Sequence, residues 1–200
     1  MKTDIVLAGV GGQGILSIAN VIGAAALKEG LYLKQAEVHG MSQRGGDVQS
    51  NLRISDQPIH SDLIPLHGAD IIVSLEPMEC LRYFPYLAKT GWVVTNTVPF
   101  VNIENYPDLK EVMVELEKTE NLVAFDMDDM AKKLGSPKSA NMVLLGATSP
   151  FLSLSADSLE KGISDIFSKK GEKILEQNLA AFRAGREETL NFLREKNIYL

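Results

Sequence analysis

Apolar residues along the chain alternate between short unbroken runs and longer stretches with three- and four-residue spacing. Residues 4–10 are an apolar run closed by glycine, which predicts a buried strand of a parallel sheet. From 12 to 29, Ile15, Ile18, Ala19, Ile22 and Ala26 recur at helical spacing, and Gly30 supplies a left-handed stop. A second strand is expected over 33–38. After Gly46 the pattern changes period: Val48, Ser50, Leu52 and Ile54 alternate with Gln49, Asn51, Arg53 and Ser55, so a half-exposed strand stands where a crossover helix would be expected. Pro58 and a short extended piece to Ile64 suggest a hairpin or edge addition.

Strand–helix alternation then resumes. A buried strand over 69–75 leads into Glu76-Pro77, with proline suited to a first helical turn and a helix running to about Tyr86. Further strands are expected at 91–95 and 121–126. Between them Leu109, Val112, Met113 and Leu116 make a narrow stripe on a polar surface helix. Beyond Asp126 the pattern is helical, over 128–134, 140–151, 158–167 and 171–195, and the last helix has a patchy apolar face interrupted by Gly185 and Arg186. The expectation is an α/β fold: a three-layer sandwich around a mostly parallel, Rossmann-like sheet, with a hairpin or edge-strand insertion and a helical C-terminal part.

With 200 residues at 45% hydrophobic, the chain is long enough for one domain spanning 1–200 and too short for a cofactor domain plus a separate catalytic domain. A net charge of −6 with scattered basic residues argues against nucleic acid and anionic membranes. The opening Met1-Lys2-Thr3-Asp4 runs into a strand without an apolar leader, and no apolar stretch reaches a membrane span, so a cytoplasmic location is expected. One cysteine, Cys80, cannot hold an iron–sulfur cluster, and His39, His60 and His67 lack metal-pair spacing, so no metal site is expected.

The chemistry concentrates in two glycine-rich loops, expected to face one another across one pocket. Gly9, Gly11 and Gly14, with Gly12 and Gln13 between them, follow a strand and open a helix; the tight turn and free amides suit an anion, and Gln13 adds a side-chain donor. The plainer alternative is that these glycines only let helix and strand pack. The second loop carries His39, Met41 and Arg44 before Gly45 and Gly46. Arg44 offers a planar fork to phosphate or carboxylate, or is a solvated loop residue. Glu37, 23 residues after Gly14, stands where a dinucleotide domain places its ribose-binding acid, so an NAD- or FAD-dependent dehydrogenase and a non-catalytic nucleotide-binding module both stay open. Glu37 and His39 are the candidate catalytic groups, His39 equally a structural donor. Glu76, Asn96 and Thr97 sit at other strand ends and line the crevice or serve as caps and turns; Cys80 reads as a small buried apolar residue.

The runs Gly9-Val10-Gly11-Gly12-Gln13-Gly14, Glu37-Val38-His39-Gly40-Met41-Ser42-Gln43-Arg44-Gly45-Gly46, Leu75-Glu76-Pro77-Met78-Glu79-Cys80-Leu81-Arg82-Tyr83 and Asn141-Met142-Val143-Leu144-Leu145-Gly146-Ala147 together resemble the gamma domain of the 2-oxoacid:ferredoxin oxidoreductases. Within that family, 37–46 looks most like the beta subunit of indolepyruvate ferredoxin oxidoreductase. The resemblance implies oxidative decarboxylation of a 2-oxoacid, an aryl pyruvate preferred, to acyl-coenzyme A, carbon dioxide and reduced ferredoxin. It further implies a larger alpha subunit carrying thiamine diphosphate, magnesium and iron–sulfur clusters, with this chain helping to hold coenzyme A through Gly9, Gly11, Gly12, Gln13, Gly14, Met41, Arg44, Gly45 and Gly46, and inactive alone.

Overall fold

The computed structural model describes residues 1–39, 45–101 and 103–199, the side chain of His39 excepted. Among them, β1 (Lys2–Val10), β2 (Tyr32–His39), β3 (Asp47–Ser55), β4 (Ala69–Ser74), β5 (Leu87–Asn96) and β6 (Leu122–Phe125) form one sheet in the order β2-β3-β1-β4-β5-β6. β1, β4, β5 and β6 pair in parallel, as their unbroken apolar runs require. β3 runs antiparallel to both its neighbours, from Lys2↔Ser55 to Val10↔Asp47 on one side and from Tyr32↔Ser55 to His39↔Val48 on the other.

A hairpin is present, but β2 and β3 form it, not β3 and the piece after Pro58 as expected; β3 is interior and β2 takes the edge. Alternation explains why: Leu52 and Ile54 enter the main core while Arg53 faces the other way, held in a two-toothed bond to the buried Asp4 at 2.8 and 2.9 Å. The piece at 58–64 is not a strand. Its carbonyls at Ser61 and Leu63 accept from Arg53 Nη1 at 3.1 and 2.9 Å, so they are spent on a guanidinium instead of a ladder.

Among the described residues seven α-helices cover the sheet: α1 (Ile15–Lys28), α2 (Pro77–Arg82), α3 (Leu109–Leu116), α4 (Met127–Lys133), α5 (Ala140–Thr148), α6 (Ala156–Phe167) and α7 (Glu172–Glu195). α2 stops four residues short of the expected Tyr86 because Pro85 has no amide with which to continue it, and a tighter 3-10 turn, Phe84–Tyr86, follows. Ile5, Leu7, Ile71, Val73 and Val94 face α1 and α4 to α7 in the larger core; Val6, Ala8, Ile72 and Val93 face α2, α3 and Ile64 in the smaller one. That alternation is the period of a strand buried on both faces.

Gly185, which seemed to interrupt the stripe of α7, is its tightest contact. A Cβ on Gly185 would lie 2.0 Å from the carbonyl oxygen of Val143, and one on Gly146 would lie 1.9 Å from that of Phe182. α5 and α7 thus cross backbone against backbone, with Phe182 fully buried beside the crossing. This crossing fixes the start of α5 beneath the carboxyl ends of the strands.

Candidate functional site

The chain reverses its direction of strand addition at β1, which places a crevice beyond the carboxyl ends of β1 and β4, where open α/β sheets take ligands. Gly12, Gln13, Leu75, Asn96, Asp128, Lys138 and Asn141 line a crevice of about 350 Å³ there. The first glycine loop contributes Gly12 and Gln13 to this lining and the second loop contributes no described residue; instead of facing each other across a pocket, the loops are bonded side by side, the Gly11 amide donating to the Gly46 carbonyl at 2.8 Å and the Gly45 amide to the Gly11 carbonyl at 3.2 Å. They are joined as a continuation of the β1–β3 ladder.

This joining changes which amides of the first loop are available. Gly11 N–H is committed to Gly46, and Gln13 N–H closes a turn on the Val10 carbonyl at 3.1 Å. The Gln13 side chain braces the loop: its Oε1 accepts from Val10 N–H at 2.7 Å and its Nε2 donates to the Leu75 carbonyl at 3.2 Å. It ties β1 to β4 at the mouth of the crevice. Gly12, with φ of +105° and no atom within 4 Å of a would-be Cβ, is the part of the loop open to approach. Gly9 is a packing glycine, since a Cβ would stand 2.9 Å from Ile15 Cγ1. Gly14 is the left-handed cap of α1 and packs against Asn141, whose Nδ2 donates to its carbonyl at 3.3 Å.

Lys138 lies on the 3-10 turn Pro137–Ser139 just before α5 and has no salt-bridge partner among the described residues. Asn141, 8% exposed, has an Oδ1 with no hydrogen-bond partner. Asn96 is a brace: its Oδ1 accepts from Met127 N–H at 3.0 Å and its Nδ2 donates to Asp128 at 2.7 Å, which holds the start of α4 against β5. Lys138 and Asp128 were missed in the sequence; Asp126-Met127-Asp128 and Ser136-Pro137-Lys138-Ser139 mark helix starts there, but nothing local says that both starts face Gly12.

Glu37 lies on the exposed edge strand, where it accepts from Gln35 Nε2 at 2.7 Å. β3 stands between it and β1, so the ribose-binding place of a dinucleotide domain, beside the first strand, is taken by another strand. Met41, Arg44 and the side chain of His39 lie outside the described residues. Glu76 is fully buried as the cap of α2, accepting from the amides of Glu79 at 2.7 Å and Phe100 at 3.3 Å and from the Tyr106 hydroxyl. Burial first, and the Glu76 carboxylate second, raise the Tyr106 hydroxyl's pKa, which keeps it a donor.

Cys80 is buried and its thiol is pushed up to about 12, chiefly by burial, as suits a packing residue. Beneath the second loop, Asp47 accepts from the Tyr83 hydroxyl at 3.1 and 2.9 Å, and Glu79 is bonded to Arg82 Nε at 2.7 Å. Burial raises the Glu79 carboxyl's pKa, Arg82 opposing and Asp47 assisting. No group of three or more His, Cys, Asp or Glu side chains suited to a metal occurs among the described residues. No described helix is long and apolar enough to cross a membrane.

An interrupted Rossmann-like sheet with two hydrogen-bonded glycine loops at its switch point defines an α/β protein of the dinucleotide-domain type with an antiparallel strand inserted. The model of the pyruvate ferredoxin/flavodoxin oxidoreductase family matches residues 4–188, and the chain belongs to that family. It is 40% identical to the indolepyruvate oxidoreductase subunit IorB of Pyrococcus horikoshii over 91% of this chain and 93% of that one. It is 35% identical to the corresponding IorB of Archaeoglobus fulgidus, over 96% and 97%. The 2-oxoglutarate:ferredoxin oxidoreductase of Magnetococcus marinus, solved with 2-oxoglutarate, coenzyme A and succinyl-CoA bound, matches with a TM-score of 0.75 at 26% identity. That match covers 95% of this chain, which spans 31% of the longer polypeptide.

Proposed function

We propose that this chain is the smaller subunit of an enzyme that oxidatively decarboxylates a 2-oxoacid, preferably indolepyruvate or another aryl pyruvate, giving acyl-CoA, carbon dioxide and reduced ferredoxin. Its part is to hold coenzyme A and close the reaction site. The observation that carries this reading is a crevice beside the joined glycine loops with an open Gly12 and, among the described residues, a lysine without an ionic partner and a buried acceptor without a donor. The donor set fits coenzyme A, whose phosphates call for cations and amides and whose hydroxyl and amide groups call for acceptors such as Asn141 Oδ1 and Asp128. Gly12, Lys138 and Arg44 would hold its phosphates; when bound, its thiol takes up the acyl group. The relative solved with coenzyme A supports the choice of ligand.

The chain's own residues do not fit an iron–sulfur cluster. A single buried cysteine cannot ligate one, and the clusters, with thiamine diphosphate and magnesium, belong in this reading to a larger partner subunit. Calorimetric titration of the assembled complex with coenzyme A tests the assignment. An Arg44→Ala, Lys138→Ala double variant should lose about tenfold or more in affinity, the worth of a charge-assisted bond. Unchanged affinity would remove the site from this crevice. A dinucleotide-binding reading is disfavoured by the exposed Glu37 and the strand that separates it from β1.

A further inference from the structure

Behind Lys138 and Asn141 lies a second hollow of about 480 Å³, walled by the first turn of α1, the loop before α5, the end of α6 and the start of α7. Pro137, Lys138 and Asn141 line both spaces, so the crevice and the hollow adjoin at these residues. In a chain of net charge −6, no carboxylate lines this hollow among the described residues, while Lys138 and Lys170 both do. Two lysines without an acid between them make a local positive potential.

The rim is already braced. Gln177 Nε2 donates to the Gly135 carbonyl at 3.1 Å, the Ser136 and Ser139 hydroxyls pair at 2.7 Å, and Asn178 Nδ2 donates to the Ile174 carbonyl at 2.7 Å. The Lys170 ammonium rests 4.9 Å from the centre of the Phe167 ring and has no carboxylate partner among the described residues. The ring fixes its place without neutralising it. Asn141 Oδ1, buried and unpaired where the two spaces join, is an acceptor suited to a sugar hydroxyl.

Coenzyme A carries phosphate in two places, a diphosphate on the ribose 5′-oxygen and a phosphomonoester on the 3′-oxygen. We propose that, with coenzyme A in the crevice as read above, the hollow receives the 3′-phosphomonoester, and that Lys170 is the residue distinguishing coenzyme A from its dephosphorylated form. The inference rests on the coenzyme A reading and adds a subsite to it.

The test is titration of the assembled complex with coenzyme A and with dephospho-coenzyme A, for the native protein, Lys170→Gln and Lys170→Arg. Lys170 is exposed, so neither substitution disturbs the core. The native complex should prefer coenzyme A by about tenfold or more, Lys170→Gln should bind both alike at the weaker level, and Lys170→Arg should keep most of the preference. A full preference in Lys170→Gln, or no preference in the native complex, overturns the subsite while leaving coenzyme A in the crevice. Absence of any coenzyme A binding removes both readings. Inorganic phosphate should compete with coenzyme A and leave dephospho-coenzyme A binding unchanged; equal competition with both would show the anion acting at the diphosphate and not in the hollow, which overturns the assignment.

Discussion

Glycines do two different jobs in this molecule, at the α5–α7 crossing and at the rim of the crevice. At the crossing, Gly146 and Gly185 are required by lack of space, since any Cβ would enter a neighbouring carbonyl group. At the rim, Gly12 has empty space beside it and a backbone angle other residues avoid. One pair belongs to stability and the other residue to approach. The same residue type in the same sequence therefore predicts opposite consequences for fold and for binding.

The largest effect is expected from Gly146→Ala. With 1.9 Å to the Phe182 oxygen, the helices must separate, and chemical denaturation should register a loss of about 3 kcal/mol or more. A loss below about 1 kcal/mol would show that the crossing yields easily and dissolve the distinction. Gly12→Ala should behave the other way. Its left-handed strain costs roughly 1 kcal/mol, measured by the same method, but in the coenzyme A reading the added methyl would stand in the ligand's way, so coenzyme A affinity of the complex should fall by more than stability does.

The smallest effect concerns the support beneath the second loop. The Glu79 carboxyl is held above its ordinary 4.5, so the folded state binds this proton more tightly than the unfolded chain. Its contribution to stability is present in full below about pH 4.5 and is lost as pH rises through the raised value. Stability of Glu79→Gln, followed by thermal melting across that window, should lack this decline; an unaltered slope would place the titration elsewhere.

The sheet was legible in the sequence because strands buried on both faces need long apolar runs, and β3 announced itself by changing period at Val48. Its interior position was not legible, since alternation says that one face is buried without saying which neighbours flank it. Loop glycines were legible; the commitment of the Gly11 amide to Gly46 was not, because that partner lies across a ladder from a distant segment, and the Gln13 amide is spent on a local turn with Val10 that the glycine pattern does not specify. Lys138 and Asp128 joined the crevice only through the packing of α4 and α5, a long-range outcome. Glu76 was weighed between crevice and cap, and three donors converge on it as a cap.

β1 occupies the middle of the sheet, yet both its partners come later in the chain, β3 antiparallel and β4 parallel. The β2–β3 hairpin is assembled from nearby residues, whereas β1 must be inserted between two segments separated from it by closing large loops. The first glycine loop is thus made early in synthesis, before the segments that hold it in the folded chain. Apart from the local Val10–Gln13 turn, its hydrogen bonds to Gly45 and Gly46 wait until those residues have emerged, and its tie to Leu75 waits longer still.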